Sequence, residues 1–344
     1  MTEVDEKPPK ISVLLPVHNA DPYLALALDS LLAQTFQDFE VIAINDGSTD
    51  LSGGILNDYE LRDSRFRVFH RRQRGLVVTL NEGIDLARGE WIARMDADDI
   101  ALPLRFELQL KQLSSTEADF CGGAMELFAS SRGIKFYPES NEIFGVALLF
   151  SAPVAHPAVI GKAAIFRTLR YDTNFKHAED YDLWQRAWGF GFRFTNVRDV
   201  VLRYRVHKTQ VSKRFSLEQS ASADSVRVRH WKALFPEYDE VFDSGILSGS
   251  RQHDRKDLLL REIMPTLLCQ IPEVSHQTFI NGVLRIFIRQ AGGDMGVIKA
   301  WIRLCDSSRN TLLRTKLRGI FILSFLAFFQ IRPQGQFFER LRNI

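Results

Sequence analysis

The chain has 344 residues, of which 45% are hydrophobic and 25% are charged, and its formal net charge is +2. This composition fits a globular protein with a sizeable core, and the net charge is too small to indicate a nucleic-acid partner. The three cysteines are widely spaced, so they form neither a disulfide framework nor a CxxC metal site.

The N-terminal residues 1–10 are polar and predict a short disordered lead without the apolar core of a signal peptide. No apolar run in the sequence reaches the roughly 18 residues that a membrane-spanning helix needs. Together with free cysteines, which are typical of a reducing compartment, these features favour a location in the cytoplasm.

A strand and helix alternation begins after this lead. Ile11–Val17 and Phe39–Ile44 are continuous apolar runs, as expected for strands buried on both faces, and Pro22 opens a helix between them. The pattern continues with a strand over Phe66–His70, a helix over Leu76–Ala87, a strand over Trp91–Met95 and a helix opened by Pro103. Repeated βα units predict an α/β fold with a mostly parallel sheet and helices on both faces.

Polar clusters follow three of the predicted strands. His18-Asn19 follows the first strand, Asp46-Gly47 the second and Asp96–Asp99 the fourth. Ligands of such sheets bind at the carboxyl ends of the strands, so these clusters predict a ligand crevice. Asp46 suits a hydrogen bond from the N–H of a nucleotide base, and equally a tight turn that caps the next helix.

The acidic cluster Asp96-Ala97-Asp98-Asp99 places three carboxylates within four residues. Their mutual repulsion is tolerated if a cation lies between them. Oxygen ligands are typical of Mg²⁺ and Mn²⁺, which bridge carboxylates and substrate phosphates. The alternative is a solvated acidic turn that caps the following helix.

Three further polar features each have a structural alternative. Glu179-Asp180 begins a helix that carries Trp184, and it suits either a site facing the crevice or simple stabilisation of the helix dipole. The isolated His156 and His207 are each more typical of packing or of a satisfied hydrogen bond in the core than of a ligand.

The chain after Phe215 shows little strand character. Helical patterns cover Val226–Leu234, Leu258–Leu268, Phe279–Arg289 and Ile298–Leu304. We therefore predict one domain over residues 11–212 and a mostly helical C-terminal region over residues 213–344.

An apolar segment, Ile320–Phe329, lies near the end of the chain between the basic residues Arg314, Lys316, Arg318 and Arg332. As a helix it spans about 15 Å, half of a bilayer core, so we do not expect it to cross a membrane. One prediction is a helix lying on an anionic membrane surface, at the inner face of the cytoplasmic membrane. The other is a core helix packed on the catalytic domain.

An ordered set of motifs carries a resemblance to a known family. These are Ser12–Asn19, Val41–Asp50, Gly89–Asp99, His156-Pro157, Ala178–Trp184 and Tyr204–Ser212. In this order they resemble the family 2 inverting glycosyltransferases of the GT-A fold, over residues 11–212. Residues 213–344 resemble no family that we can name.

The resemblance implies roles for the matching positions. Pro16, Asn19 and Asp46 would line the nucleotide pocket, with Asp96 near the ribose. Asp98 would hold Mn²⁺ or Mg²⁺, and His207 matches a position that helps hold the metal or the diphosphate in some relatives.

Asp180 matches the catalytic base of the family, and His156, Glu179 and Trp184 would lie around it or on the acceptor side. In one respect the chain departs from the family: Thr79-Leu80-Asn81 stands where many relatives carry Ala-Arg-Asn. We expect Arg72 or Arg74 to replace that donor contact.

The resemblance implies an inverting transfer of a sugar from a nucleoside-diphosphate donor, UDP-linked, to a glycan or lipid-linked acceptor in surface-polysaccharide or lipopolysaccharide synthesis. There are three alternatives. A dehydrogenase is excluded because Pro16–Pro22 lacks the glycines of a dinucleotide-binding loop. A sugar nucleotidyltransferase is disfavoured by the missing Gly-rich phosphate loop. A non-catalytic nucleotide- or glycan-binding scaffold is disfavoured by the retained carboxylates.

Overall fold

The structure is a computed structural model that describes residues 7–207, 216–243, 259–290, 295–308 and 311–328. Contacts within the chain separate two compact units. The first is Met1–Phe144 with Ala152–Ala223, and the second is Gly145–Ser151 with Asp224–Ile344. The predicted boundary at residues 212–215 lies outside the described residues, so the domain division at residue 212 stays a prediction.

The first unit is built on one sheet. Its strands are β1 (Ile11–Val17), β2 (Phe39–Asp46), β3 (Phe66–Arg71), β4 (Trp91–Arg94), β5 (Ile100–Ala101), β6 (Phe120–Ala129), β7 (Gly133–Lys135), β8 (Ile160–Lys162) and β9 (Phe194–Val206). They follow the order β3-β2-β1-β4-β8-β6-β9-β5, and β7 pairs with β6. The four strands β1 to β4 are parallel, as predicted. β8 is antiparallel to both of its neighbours, whereas β6 and β9 are parallel.

Seven helices accompany these strands in the described part of the first unit and at its border with the second. They are α1 (Asp21–Leu32), α2 (Ser52–Arg62), α3 (Leu76–Leu86), α4 (Arg105–Thr116), α5 (Asn141–Ala147), α6 (Ala163–Leu169) and α7 (Glu179–Gly189). α4 begins two residues after the predicted Pro103, because Arg105 N donates to Leu102 O at 3.0 Å and closes a turn there. The mostly parallel α/β sheet with its helices is confirmed.

The core of the first unit explains why the strand runs are apolar. β1 and β2 are buried along nearly their whole length, because helices cover both faces of a parallel sheet. On α1, the residues Leu24, Leu28 and Leu31 are fully buried, one helical turn apart, and they join the same core.

The second unit is helical in its described part, as predicted. Its helices are the C-terminal part of Ser216–Leu234, then Asp239–Asp243, Met264–Gln270, His276–Gln290, Met295–Asp306 and Leu313–Phe328. The fully buried Trp231, Phe279 and Trp301 belong to its core. Among the described residues, no helix combines the length and the apolar character that crossing a bilayer requires.

Candidate active site

The loops after β1 and β2 are joined to each other by Asn19. Its Oδ1 accepts a hydrogen bond from Thr49 N at 2.8 Å, and its own N–H donates to Ser48 Oγ at 3.0 Å. Asn19 has φ 49°, a left-handed conformation that asparagine adopts more readily than most residues. Pro16 lies beside Ile44 in the paired strands β1 and β2. The first two predicted polar clusters therefore lie side by side.

Asp46 organises the loop that follows β3. Its carboxylate accepts hydrogen bonds from Arg71 Nη1 at 2.5 Å, from Arg74 N at 2.7 Å and from Gly75 N at 2.8 Å. A carboxylate has about four acceptor positions, so these three hydrogen bonds occupy most of them. The guanidinium of Arg74 is exposed, with Nη1 4.0 Å from Glu82 Oε2.

Arg71 is a residue that the sequence did not single out. It ends β3 and lies opposite Asp46 in the parallel pairing of β2 with β3. Its ion pair with Asp46 is largely buried, and its second amino group donates to Thr79 Oγ1 at 2.6 Å. The role of Arg71 became visible only from the pairing of β3 with β2, because the strand predicted from the sequence ended at His70, one residue before Arg71.

The acidic loop after β4 brings three carboxylates together. One oxygen each of Asp96, Asp98 and Asp99 lies within 4.8 Å of the others. Asp99 is fully buried, and its Oδ1 accepts a hydrogen bond from Arg205 N at 2.9 Å. Because α4 has no side-chain hydrogen bond at its N-cap, the acidic turn does not cap that helix.

Asp98 is the carboxylate of this loop that meets a histidine. His207 Nε2 donates to Asp98 Oδ2 at 2.9 Å, and both side chains are partly exposed, at 21% and 23%. Burial, and then the neighbouring Asp96, raise the pKa of the Asp98 carboxyl. Burial and both neighbours raise the pKa of Asp99 well above its ordinary value.

These residues fit a hard divalent cation. The three carboxylates of the acidic loop supply the oxygen ligands that such an ion prefers. A cation would also offset the crowding of negative charge that raises the pKa values of Asp98 and Asp99. Asp96, Asp98 and Asp99 are therefore grouped closely enough to hold Mn²⁺ or Mg²⁺, and His207 contacts this group through Asp98.

Arg205 braces the acidic loop from β9, and the sequence did not identify it. Its Nε donates to the backbone oxygen of Asp98 at 2.8 Å. Its guanidinium lies 4.2 Å from the ring centre of Tyr23 and 4.5 Å from that of Phe128. Such contacts fix the orientation of the planar group.

The three acidic residues at the start of α7 lie in different environments. Asp182 is fully buried and accepts a hydrogen bond from Arg186 Nε at 2.8 Å, so its role is structural. Glu179 is buried, and burial together with the adjacent Asp180 raises its pKa to about 7. Asp180 keeps part of its surface exposed, and burial of the rest raises its pKa as well.

Two residues expected around the base or on the acceptor side lie in the core instead. Trp184 is fully buried, edge-on to Phe120 with ring centres 5.5 Å apart, so no part of it is open to an acceptor. His156 shares a hydrogen bond with Tyr171, with Nε2 2.9 Å from the phenol oxygen. Burial, with the charge of Arg94, lowers the pKa of His156 well below 6.5, which keeps the ring neutral. Both side chains therefore support the packing beneath α7, in line with the alternative stated for His156.

Arg94, at the end of β4, is a further residue for which the sequence predicted no role. Its Nη2 lies 2.5 Å from Asp96 Oδ1, and its side chain is only 4% exposed. Its positive charge counteracts the burial that raises the pKa values of Glu179 and Asp180. One sequence feature could have pointed to Arg94, because it is a charged residue inside the otherwise apolar run Trp91–Met95.

Comparisons with known proteins identify the family that this chain is similar to. The sequence pattern of glycosyl transferase family 2 matches residues 12–173. The O-antigen biosynthesis glycosyltransferase WbnJ of Escherichia coli is 32% identical over 210 residues, which cover 59% of this chain and 82% of WbnJ. An uncharacterized glycosyltransferase of Haemophilus influenzae is 28% identical over 64% of this chain and 73% of its own length.

Solved structures share the fold. TarS 1–349 of S. aureus in complex with UDP-GlcNAc has a TM-score of 0.57 and 15% identity, covering 95% of this chain and 93% of that one. The mannosyltransferase PcManGT of Pyrobaculum calidifontis, in complex with GDP-Man and Mn²⁺, has a TM-score of 0.50 and 14% identity, covering 94% and 88%. This chain spans 55% of a longer TarS structure. At such identities the likeness concerns the fold alone.

Proposed function

Because the chain belongs to glycosyl transferase family 2, we propose that it transfers one sugar from a nucleoside-diphosphate donor to a hydroxyl group of a glycan or lipid-linked acceptor, with inversion. One observation carries the proposal. The acidic loop and the start of α7 converge, since the charge of Asp96 acts on the pKa values of both Glu179 and Asp180. This proximity supports placing the donor diphosphate and the base in one region.

The donor side is formed by the loops after β1, β2 and β4. Pro16, Asn19 and Asp46 line the nucleotide pocket, Asp96 lies near the ribose, and the exposed Arg74 is placed to reach the donor. Asp98 and His207 would hold Mn²⁺ or Mg²⁺. When bound, such an ion neutralises the negative charge that develops on the departing diphosphate.

Asp180 takes the proton of the acceptor hydroxyl as that oxygen attacks C1 of the donor sugar. Asp180 is partly exposed as a residue, whereas Asp182 is fully buried and held by Arg186. A raised pKa makes Asp180 a stronger base than a fully solvated aspartate, which suits general-base catalysis. Direct displacement inverts the anomeric centre, so an α-linked donor gives a β-glycoside.

The donor is a UDP-sugar and the product belongs to a surface polysaccharide or lipopolysaccharide. TarS binds UDP-GlcNAc and PcManGT binds GDP-Man in their structures, so both nucleotides belong in a test. WbnJ, whose name refers to O-antigen biosynthesis, supports the choice of a glycan acceptor.

The test is a panel of UDP-, GDP- and dTDP-sugars with Mn²⁺, in which we measure donor binding, slow hydrolysis and transfer to glycan acceptors. We expect one nucleotide class to bind and to turn over, with loss of turnover in excess EDTA. Binding without any turnover would support the scaffold alternative. Release of pyrophosphate from a nucleoside triphosphate and a sugar phosphate would support a nucleotidyltransferase.

We also propose that the helix Leu313–Phe328 rests on an anionic membrane surface. Leu313, Leu317 and Phe321 are 68%, 55% and 71% exposed and lie four residues apart, so they form one apolar stripe. Arg314 and Arg318 are exposed beside it, and this helix has no acidic residue. A basic helix with an apolar face is typical of segments that lie in the membrane interface.

The stripe differs from the apolar segment that the sequence predicted. The stripe starts at Leu313, before the predicted segment. Within that segment, Leu323 is buried in the core of the second unit and Ile320 is packed against that core, so neither belongs to the exposed stripe. The side chains of 325–328 and all of residues 329–332, including Arg332, lie outside the described part of the chain.

Flotation with vesicles containing anionic phosphatidylglycerol tests the membrane proposal. We expect wild-type protein to bind at low salt, and Phe321→Glu or Leu317→Glu to abolish binding. Leu61→Glu is the matched control, since Leu61 is 87% exposed on α2 of the first unit. Equal binding by all variants contradicts the proposal, and concentration-dependent dimerisation lost only in Phe321→Glu would assign the stripe to a second copy of the chain.

A further inference from the structure

Arg94 has a buried guanidinium group that is only partly satisfied. Its Nη2 pairs with Asp96 Oδ1 at 2.5 Å, but its Nε and Nη1 have no hydrogen-bond partner among the described residues. Leaving buried donors unpaired costs free energy, because the hydrogen bonds that they make with water are lost on folding. A residue kept under such a cost in the middle of the sheet needs a reason beyond packing.

The surroundings of Arg94 are acidic on two sides. Asp96 and Asp99 belong to the loop that follows β4, whereas Glu179 and Asp180 begin α7, and the charge of Arg94 reaches all four. These carboxylates come from segments about eighty positions apart in the chain, and like charges repel one another. A fixed buried cation between the two groups opposes that repulsion.

The backbone of Arg94 is itself firmly held. Its N–H donates to Val159 O at 3.0 Å, and its carbonyl oxygen accepts a hydrogen bond from the fully buried Arg105 at 2.7 Å. It also pairs with Leu14 in the parallel ladder of β1 with β4. The guanidinium therefore extends from a rigid point of the sheet.

We propose that Arg94 is a positioning residue, which holds Asp96 in place and sets the spacing between the acidic loop and the Glu179–Asp180 pair. The inference rests on the proposed function, because it matters only if the donor lies at one group and the base at the other. Arg94 is too buried to touch a substrate. A displacement of about 1 Å between reacting groups can cost about 100-fold in rate, so a rigid spacer here acts on turnover.

We expect the positioning of Asp96 to depend on both the charge and the planar shape of the Arg94 side chain. Lysine supplies the charge as a compact ammonium on a flexible stem, whereas arginine presents a planar fork of donors. Arg94→Lys should therefore keep the positive charge beside Asp96 but lose the fixed position of the Asp96 carboxylate. Arg94→Met should lose both, while its side chain fills much of the same space.

The experiment compares Arg94→Met and Arg94→Lys with Arg67→Met. Arg67 is the matched control. It lies on β3, the strand at one edge of the same sheet, and it pairs with the buried Glu40 at 2.8 Å. For each variant we measure kcat, donor KM, the melting temperature and, by calorimetry, the affinity for Mn²⁺ without donor.

We expect Arg94→Met to lower kcat about 100-fold and Arg94→Lys about tenfold, with donor KM changed by less than about threefold. Mn²⁺ affinity should be equal or tighter in Arg94→Met, because a positive charge beside Asp96 is removed. Arg67→Met should keep wild-type kcat while its melting temperature falls.

The proposal is overturned if folded Arg94→Met keeps wild-type kcat, or if kcat, donor affinity and Mn²⁺ affinity all fall together as for general damage. Should Arg94→Met fail to fold, Arg94→Lys decides: a tenfold loss of kcat with retained Mn²⁺ affinity supports the inference, and wild-type kcat contradicts it. A wild-type chain that turns over no donor rejects the proposed function instead, which separates the two failures.

Discussion

His207 donates a hydrogen bond from Nε2 to Asp98 Oδ2 across 2.9 Å, although the two residues are 109 positions apart in the chain. Asp98 follows β4 and His207 follows β9, and two other strands, β8 and β6, lie between them in the sheet. The contact follows from the short strand β5, which directly continues the acidic loop and pairs antiparallel with β9, with Ile100 opposite Arg203. Arg205 adds a hydrogen bond from Nε to the backbone oxygen of Asp98. The contact brings an imidazole ring and a carboxylate together at the edge where the donor diphosphate is expected.

The first prediction concerns this pair. Asp98→Asn should weaken Mn²⁺ binding and nearly abolish sugar transfer, because the amide loses the negative charge that attracts the ion. Calorimetry with Mn²⁺ and a transfer assay measure the two effects. Glu90→Gln is the control, since Glu90 is exposed and paired with Lys10 at the opposite end of β4. Undiminished transfer by Asp98→Asn, or by wild type in excess EDTA, would show that no metal is needed.

The second prediction concerns the base. Asp180→Asn preserves the shape of the side chain but removes the proton acceptor, so transfer should fall about 10²–10⁴-fold with nearly unchanged affinity for the donor nucleotide. Asp182→Asn should instead lower the melting temperature, because Asp182 is fully buried and paired with Arg186. Steady-state kinetics and nucleotide titration distinguish these cases. Near wild-type transfer by Asp180→Asn with a loss in Glu179→Gln would move the base by one residue.

The third prediction concerns Asp46. Asp46→Asn replaces one acceptor oxygen by an N–H group, so Arg74 N or Gly75 N loses its partner and the loop after β3 loosens. A lost buried hydrogen bond costs about 1–3 kcal/mol, which corresponds to a rise of at least about fivefold in donor KM if it is expressed in donor binding. Equilibrium titration of UDP measures it. Unchanged UDP affinity together with unchanged KM would confine Asp46 to a structural role.

The fourth prediction concerns stability against acid in the second unit. His230 is fully buried with its Nε2–H donating to Gly145 O at 2.9 Å, and burial lowers its pKa to about 4. In the unfolded chain the pKa of histidine is about 6.5, so the unfolded state takes up the proton first. The contribution of His230 to stability is therefore complete above pH 6.5 and is lost as the pH falls from 6.5 towards 4, by about 1.4 kcal/mol per pH unit.

His230→Gln keeps a donor for Gly145 O but does not titrate, so its stability should fall less steeply than that of wild type over this range. Urea unfolding of both proteins between pH 7.5 and 4.5 gives the two slopes. Parallel slopes would mean that His230 is protonated in the folded protein, contrary to its burial.

The sequence by itself determined the features that depend on neighbouring residues. Apolar runs predicted β1 to β4, the positions of Pro22 and Pro103 marked helix starts to within two residues, and the ordered motifs identified the fold and the acidic loop. These predictions succeed because strand burial and helix initiation are local properties. The helical nature of the C-terminal region followed from the same local periodicity.

Only the tertiary structure decided which charged side chains meet. Arg71, Arg94 and Arg205 brace the candidate site through partners on other strands or loops, and nothing in their own sequence neighbourhood names those partners. The sequence likewise did not predict the antiparallel insertion of β8 or the parallel pairing of β6 with β9, because strand order depends on long-range packing. For the same reason the sequence could place Asp182 and Trp184 on α7 next to Asp180, but only the packing of that helix buries them and leaves Asp180 partly exposed.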